Sequence, residues 1–418
     1  MVVYRNVAMV MGSSALFQTA AGVLGVAMPL AMAAAEWTGA AIGGVFAAYA
    51  AGFMIGAWFA PSVIRSVGHI RAYAAFSGAA AALTLLLALS FGFWWWLLAR
   101  IGFGVCAAAL FAVAESWIAD ATPAERRGAV ISAYQVLGRA GLILGPFLIT
   151  LPALDLIESF VVAGAFLAVT LIPITATRRA QPALPETERV SPLRLFAIAP
   201  SAATASFAAG AINTGTIAFL PIWAQGLHSS INIGGAATVL AAVYGVSMLV
   251  QWPVGRLSDH VDRRYVIAGA ATLSGVFALA LAVFAAPSLA VGAALAGLWG
   301  AASLSYYAVA VAHATDRSRV EELPAIASGM LVVWAAGAVV GPILAGLAFG
   351  GPLAGRGLFL LVAAGGFFVA AAMLWRARKH EATSEEERHP FVNLLATSAE
   401  LAEIEEPELQ AEAAAESR

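Results

Sequence analysis

The chain has 418 residues, 61% of them hydrophobic and 11% charged, with a mean hydropathy of +0.86 and a formal net charge of −2. Soluble domains average about 45–50% apolar and about 25% charged residues. This composition therefore excludes a water-soluble globular protein and points to an integral membrane protein, with the lipid bilayer as its surroundings and no nucleic-acid partner expected.

In chain order, apolar segments fall at about 8–33, 40–64, 70–90, 93–118, 127–151, 156–177, 198–224, 233–257, 264–285, 288–313, 325–349 and 357–378. Each is near the roughly 20 residues that a helix needs to cross about 30 Å of hydrocarbon. A membrane barrel would instead show segments of about ten residues with alternating polarity. Lipid offers the backbone no hydrogen bonds, so each span must satisfy its own and be helical. An all-α integral membrane fold of twelve transmembrane helices is expected. The first segment is too long for a signal-peptide core and lacks a clear cleavage site, so it is expected to be retained. The run "FWWW" (Phe93 to Trp96) reads as an interfacial aromatic anchor.

Arginine sets the orientation. Loops after even-numbered spans, together with both ends of the chain, carry Arg5, Arg65, Arg71, Arg126, Arg127, Arg178, Arg179, Arg256, Arg263, Arg264, Arg317, Arg376, Arg378 and Lys379, whereas the opposite loops carry only Arg356. The positive-inside rule then places both termini in the cytoplasm of a bacterial inner membrane. Charge is also divided along the chain: residues 1–380 hold 20 basic and 13 acidic side chains, and residues 381–418 hold 11 Glu against two Arg. That acidic stretch reads as a solvated, disordered cytoplasmic tail. Cys106 is alone, so no intramolecular disulfide is expected.

The body repeats. "GLILGP" (Gly141 to Pro146) recurs as "GAVVGP" (Gly337 to Pro342) at an offset of 196, which also matches Asp120 to Asp316 and Ser132 to Ser328. Trp58 matches Trp252 at 194, and Pro29 matches Pro221 at 192. The spans therefore divide into two six-helix halves, 1–177 and 198–380, joined by a Pro-rich charged linker at 178–197. Repeats of this kind place substrate near the membrane midplane between halves that rock about it. In both halves small residues permit close helix approach and the proline removes one helix bond, which suits Gly141, Gly145, Pro146, Gly337, Gly341 and Pro342 to helix packing.

Two such halves with "GRLSDHVDRR" (Gly255 to Arg264) between spans 8 and 9 resemble the major facilitator superfamily, whose loop pattern is G-x-x-x-D-x-x-G-R-R/K. Gly255, Asp259, Arg263 and Arg264 match, with Asp262 in place of the second glycine; in the first-half copy Gly68 remains and Arg65 occupies the acid position. "RIGFG" (Arg100, Gly104) is similar to the family's span-4 arginine, and Gly141, Gly145 and Pro146 resemble its antiporter signature, although "FLIT" then lacks the usual glycine pair. The "ESW" at Glu115 to Trp117 resembles a bacterial subgroup of such carriers. The resemblance implies that each such loop approaches the start of the fifth helix of the opposite half. Asp259 would then face Arg126 and Arg127, while Arg65 and Arg71 would face Glu321 and Glu322. With Arg263 these form two charge-swapped cytoplasmic latches.

An ionisable side chain at membrane depth costs at least about 2.5–3.5 kcal/mol, so each needs a partner or a task. Arg100 lies about seven residues into span 4 and Arg139 about twelve into span 5, roughly 10 Å and 18 Å from their nearer surfaces. Guanidinium groups match carboxylate and phosphate forks, so both are candidate substrate groups; the alternative for Arg100 is a structural role on helix carbonyls or a tyrosine. Gln135 shares a face with Arg139, and Gln18, Asn213, Tyr244, Tyr306 and Tyr307 are further candidate substrate contacts. Trp299 and Trp334 either line a pocket or pack, and His313 reads as interfacial. Glu115, an acid within a span, is the coupling candidate or else one member of a gate pair. No phosphate loop, metal-ligand cluster or nucleophile–base spacing appears, so no enzyme, cofactor or metal is expected. The expected function is a monomeric secondary transporter of a small organic solute, a proton-linked exporter. The alternatives are an organic-anion importer using Arg100 and Arg139, and a non-transporting sensor or scaffold acting through the tail.

Overall fold

The computed structural model describes residues 2–90, 92–123, 126–150, 154–175, 195–196, 198–227, 233–284, 288–318 and 323–379. Nearly all of the linker, the whole acidic tail, Glu321, Glu322 and the side chain of Arg127 lie outside the described residues. Among the described residues, twelve helices are long and apolar enough to cross a membrane: Val7–Ala34, Gly39–Val67, His69–Leu87, Phe93–Ile118, Ala129–Leu148, Leu156–Thr175, Pro200–Gln225, Ile233–His260, Arg263–Phe284, Leu289–Thr315, Ile326–Phe349 and Gly355–Lys379. These are spans 1 to 12 below. No strand occurs among the described residues, and the chain is an all-α multi-pass membrane protein.

Two spans are interrupted. Span 6 passes from Leu156–Val169 to Leu171–Thr175, and span 10 from Leu289–Ser303 to Tyr306–Thr315. At the span-6 break Pro173 lies four residues after Val169 and removes that residue's helix bond, whereas no proline lies near the span-10 break. Pro29, Pro61, Pro146, Pro221, Pro253 and Pro342 all sit inside helices that continue through them. In span 10 the freed carbonyls instead have side-chain partners from neighbouring spans, described below.

Packing follows the small residues. Gly141 and Gly145 set span 5 so close to span 1 that a Cβ at either would collide with the Ala15 or Thr19 carbonyl. In the other half Gly337 and Gly341 press span 11 onto the Phe207 and Ala211 carbonyls of span 7. The two glycine stripes thus join helices within each half. Between halves, span 2 meets span 11, span 5 meets span 8 and span 1 meets span 7. At the arginine-poor end this contact is made by main chain. Gly39 abuts the Gly346 carbonyl and Gly43 the Pro342 carbonyl, with no room for a Cβ.

Loop chemistry fixes the ends at that same surface. Asp155 and Glu158 form a capping box that opens span 6: Glu158 N donates to Asp155 Oδ1 (2.6 Å) and Asp155 N to Glu158 Oε2 (2.9 Å). The aromatic run divides its work. Trp94 and Trp95 are exposed, as an anchor requires, but Trp96 is fully buried and packs edge-on to Phe160.

Candidate functional site

A cavity of about 360 Å³ lies between the halves, walled by spans 1, 2, 4 and 5 on one side and spans 7, 8, 10 and 11 on the other. Most of its wall is apolar and aromatic, and Phe17, Phe53, Phe103 and Phe111 form a connected ring cluster on the first-half side. Into this wall two guanidinium groups project. Arg100 lies over the Tyr49 ring at 4.5 Å and beside Phe103 at 5.0 Å. Arg139 lies over the Tyr244 ring at 5.4 Å. Neither is within ion-pairing distance of a described carboxylate, and the lining contains no Asp or Glu. Arg100 Nε is buried with no hydrogen-bond partner among the described residues. An aromatic face offsets part of the cost of holding a cation away from water, worth about 2 kcal/mol when desolvated. It leaves the in-plane N–H donors available to an incoming acceptor.

The opposite wall is polar without being charged. Asn213 Nδ2 donates to the Ser303 carbonyl (3.3 Å) and its Oδ1 accepts from Ser303 Oγ (2.6 Å). Gln251 Nε2 donates to the Leu304 carbonyl (3.1 Å). Tyr307 stands next to this break in span 10, its ring edge-on to Trp334.

Of the sequence candidates, Gln18, Arg100, Arg139, Asn213, Tyr244 and Tyr307 line the cavity. Tyr306 does not: it is fully buried in the second-half core, because neighbouring helical residues point about 100° apart and only one of the two tyrosines can face inward. Gln135, one turn nearer the arginine-rich end than Arg139, is outside the lining. Trp334 lines the cavity, whereas Trp299 is fully buried in the packed core. Glu115 is only 1% exposed and lies outside the lining. His313 is 3% exposed, so it is a core side chain and not an interfacial one. Tyr49 and Gln251 went unremarked in the sequence. Tyr49 carried a signal, since an offset of 195 places it on Tyr244.

At the arginine-rich end the second half holds a buried charge network. Arg263 donates from Nε to Asp316 Oδ2 (2.7 Å) and from Nη2 to Asp316 Oδ1 (3.3 Å), with both side chains at most 2% exposed. Asp259 reaches the same guanidinium at 3.7 Å from one turn away. Asp262 accepts from Arg264 Nη2 at 2.7 Å and from its backbone N at 2.9 Å. Burial alone would push the Asp262 carboxyl up, but these bonds and the Arg264 charge hold it below the usual carboxylate range. In the first half the repeat places His69 where Arg263 stands. His69 Nε2 shares a 3.0 Å hydrogen bond with Ser116 Oγ and its ring meets Trp117 edge-on. Arg65, Arg71 and Arg126 are exposed at this end.

The sequence profile of the Major Facilitator Superfamily matches residues 10–252 and 202–405. An uncharacterised MFS-type transporter of Yersinia pestis (strain Pestoides F) is 23% identical over 389 residues, covering 91% of this chain and 97% of the relative. The uncharacterised MFS-type transporter YcaD of Escherichia coli O139:H28 is 24% identical over 340 residues, covering 81% and 87%. Among solved structures, a bacterial homologue of the human lysosomal transporter Spinster, inward-facing and unoccupied, superposes with a TM-score of 0.71 at 16% identity over 93% of this chain and 98% of that one. The nucleoside transporter NupG superposes with a TM-score of 0.68 at 14% identity over 88% and 98%. The chain belongs to the Major Facilitator Superfamily, and its fold is that of a secondary transporter.

Proposed function

We propose that this Major Facilitator Superfamily member carries a small organic anion with an apolar or aromatic body by alternating access. One observation carries the reading: two guanidinium groups face an aromatic cavity in which no described carboxylate neutralises them. A carboxylate, sulfonate or phosphate head supplies the missing charge, and the phenyl-rich wall takes the body. A neutral or cationic solute would leave both arginines uncompensated at membrane depth. The arginine-rich end is cytoplasmic in this reading, and the main-chain contact of Gly39 with Gly346 closes the outer end. The inner end closes in the other half of the cycle, when Asp259 meets Arg126 and Arg127, and Arg65 and Arg71 meet Glu321 and Glu322. Arg65→Asp weakens that closure and adding Glu322→Arg restores it, as read by cross-linking across the two loops; no rescue counts against the latch.

The test is binding and counterflow of 3-phenylpropanoate by the purified full chain in liposomes. Arg100→Gln and Arg139→Gln each lower affinity about 10- to 100-fold, the equivalent of losing a charge-assisted hydrogen bond of about 1.5–3 kcal/mol. Binding unchanged in the double variant would overturn the anion reading. A second reading, proton-linked export, rests on the buried Glu115 and on the Gly141–Pro146 pattern. It requires transport to respond to an imposed pH gradient and Glu115→Gln to abolish that response.

A further inference from the structure

Span 10 is broken at mid-membrane without a proline, and the break faces the cavity. Residues Ser303 and Leu304 release carbonyls that a continuous helix would use, and in hydrocarbon such groups must be satisfied. Asn213 and Gln251, from spans 7 and 8, supply donors to them. Asn213 is largely used up, since its oxygen also accepts from Ser303 Oγ. Gln251 is not. Its Nε2 makes one bond to Leu304, and its Oε1 makes none to any described residue. The Tyr307 hydroxyl likewise makes no hydrogen bond to a described residue and, unlike the enclosed Tyr306 hydroxyl, is not fully shut off from the space around it. Both residues are 7% exposed and both line the cavity. Both side chains line the cavity, so a carbonyl oxygen and a phenol, neither bonded to a described residue, are available there as an uncharged acceptor and donor.

Its distance from the arginines is set by one helix. Tyr244 and Gln251 are seven residues apart on span 8, two turns along one face, or about 10 Å. Arg139 sits over the Tyr244 ring. The cavity therefore has a cationic pole and a neutral hydrogen-bonding pole about 10 Å apart with aromatic surface between them. We propose that Gln251 and Tyr307 form a second subsite that binds a hydroxyl or amide group at the far end of the anion. The carried solute is then a hydroxylated or amidated organic acid instead of a simple hydrophobic one. This inference rests on the anion reading for the identity of the charged pole, but the subsite itself can be tested separately.

The experiment compares binding of 3-phenylpropanoate and 3-(4-hydroxyphenyl)propanoate to the purified full chain, alongside the uncharged 3-phenylpropan-1-ol and 3-(4-hydroxyphenyl)propan-1-ol. The wild type prefers the hydroxylated acid about 10-fold or more, because a polar site left unpaired penalises the analogue that lacks the group. Tyr307→Phe with Gln251→Leu erases the preference, the affinities of the two acids converging to a ratio of about one. Tyr307→Phe alone, which removes a single oxygen atom, gives a partial loss and serves if Gln251→Leu unstaples span 10 and fails to fold. A wild type that does not discriminate, or variants that keep the preference, overturns the subsite. Failure of both acids to bind overturns the anion reading and this inference with it. Alcohols that bind as tightly as the acids, with a preference that still depends on Tyr307, overturn the anion reading alone.

Discussion

At the offset of 196 that carries Asp120 onto Asp316, Arg100 falls on Ala296 and Arg139 on Ala335; at 194, Gln251 falls on Ala57. One half has placed its polar groups in guanidiniums and the other in amides and a broken helix, each with alanine where its mate carries the polar side chain. The same division recurs at the arginine-rich end. There Arg263 and Asp316 form a buried ion pair in the second half, while the first half holds His69 against Ser116 at the corresponding place. The two halves share one scaffold, and they differ in the polar side chains each brings to the cavity and to the arginine-rich end. A cavity between identical halves would have presented matched charges on both walls. In the proposed reading this one orients a solute end to end.

The largest expected break in the comparison is at the buried pair. Asp316→Asn leaves Arg263 with only the more distant Asp259 and destabilises the second half by about 3 kcal/mol, the low end for such losses. Asp120→Asn, at the matched but exposed position, stays within about 0.5 kcal/mol. Thermal unfolding in detergent compares the two, and equal losses would mean that the halves are not differently built here. Next comes Gly43→Ala, whose Cβ meets the Pro342 carbonyl across the halves. Overpacking of about 1–3 kcal/mol falls only on the state closed at the arginine-poor end, so cysteine accessibility in the cavity from that side rises. Gly141→Ala, which packs span 5 on span 1 within one half, lowers thermal stability without favouring either state. The smallest effect concerns pH. Because Arg264 holds the Asp262 carboxyl below its unfolded value, the contact stabilises the fold at neutral pH and is lost only as pH falls through the lowered folded value. The gap in melting temperature between wild type and Asp262→Asn is therefore full at pH 7 and closes in acid below the ordinary carboxylate range. A gap that instead grows in acid would reverse the assigned sign.

Twelve spans and the two-half repeat were legible in the sequence because lipid enforces them: hydropathy and a nearly constant offset are one-dimensional signals. Arg100 and Arg139 were legible for the same reason, being charges where charge is costly. The choice between Tyr306 and Tyr307 was not, since it depends on helix rotation at a break that no proline announces. Tyr49 required applying the repeat offset in reverse from Tyr244. Gln251 required knowing that a neighbouring helix had two carbonyls to satisfy. The spacing of the glycines in spans 5 and 11 suits them to close packing, but sequence alone could not say that Gly141 and Gly337 face partners within their own halves.

The seal of Gly39 against Gly346 also has an electrical consequence. In the proposed cycle this contact is the barrier at the outer end, and a transmembrane voltage would fall mainly across it. A voltage of 100 mV acts on each elementary charge with about 2.3 kcal/mol. In the proposed cycle the net charge of the loaded cavity, two guanidinium groups less the proposed anion, would cross that field as the barrier moves to the other end. The valence of the solute would then be readable as the sign and size of a current.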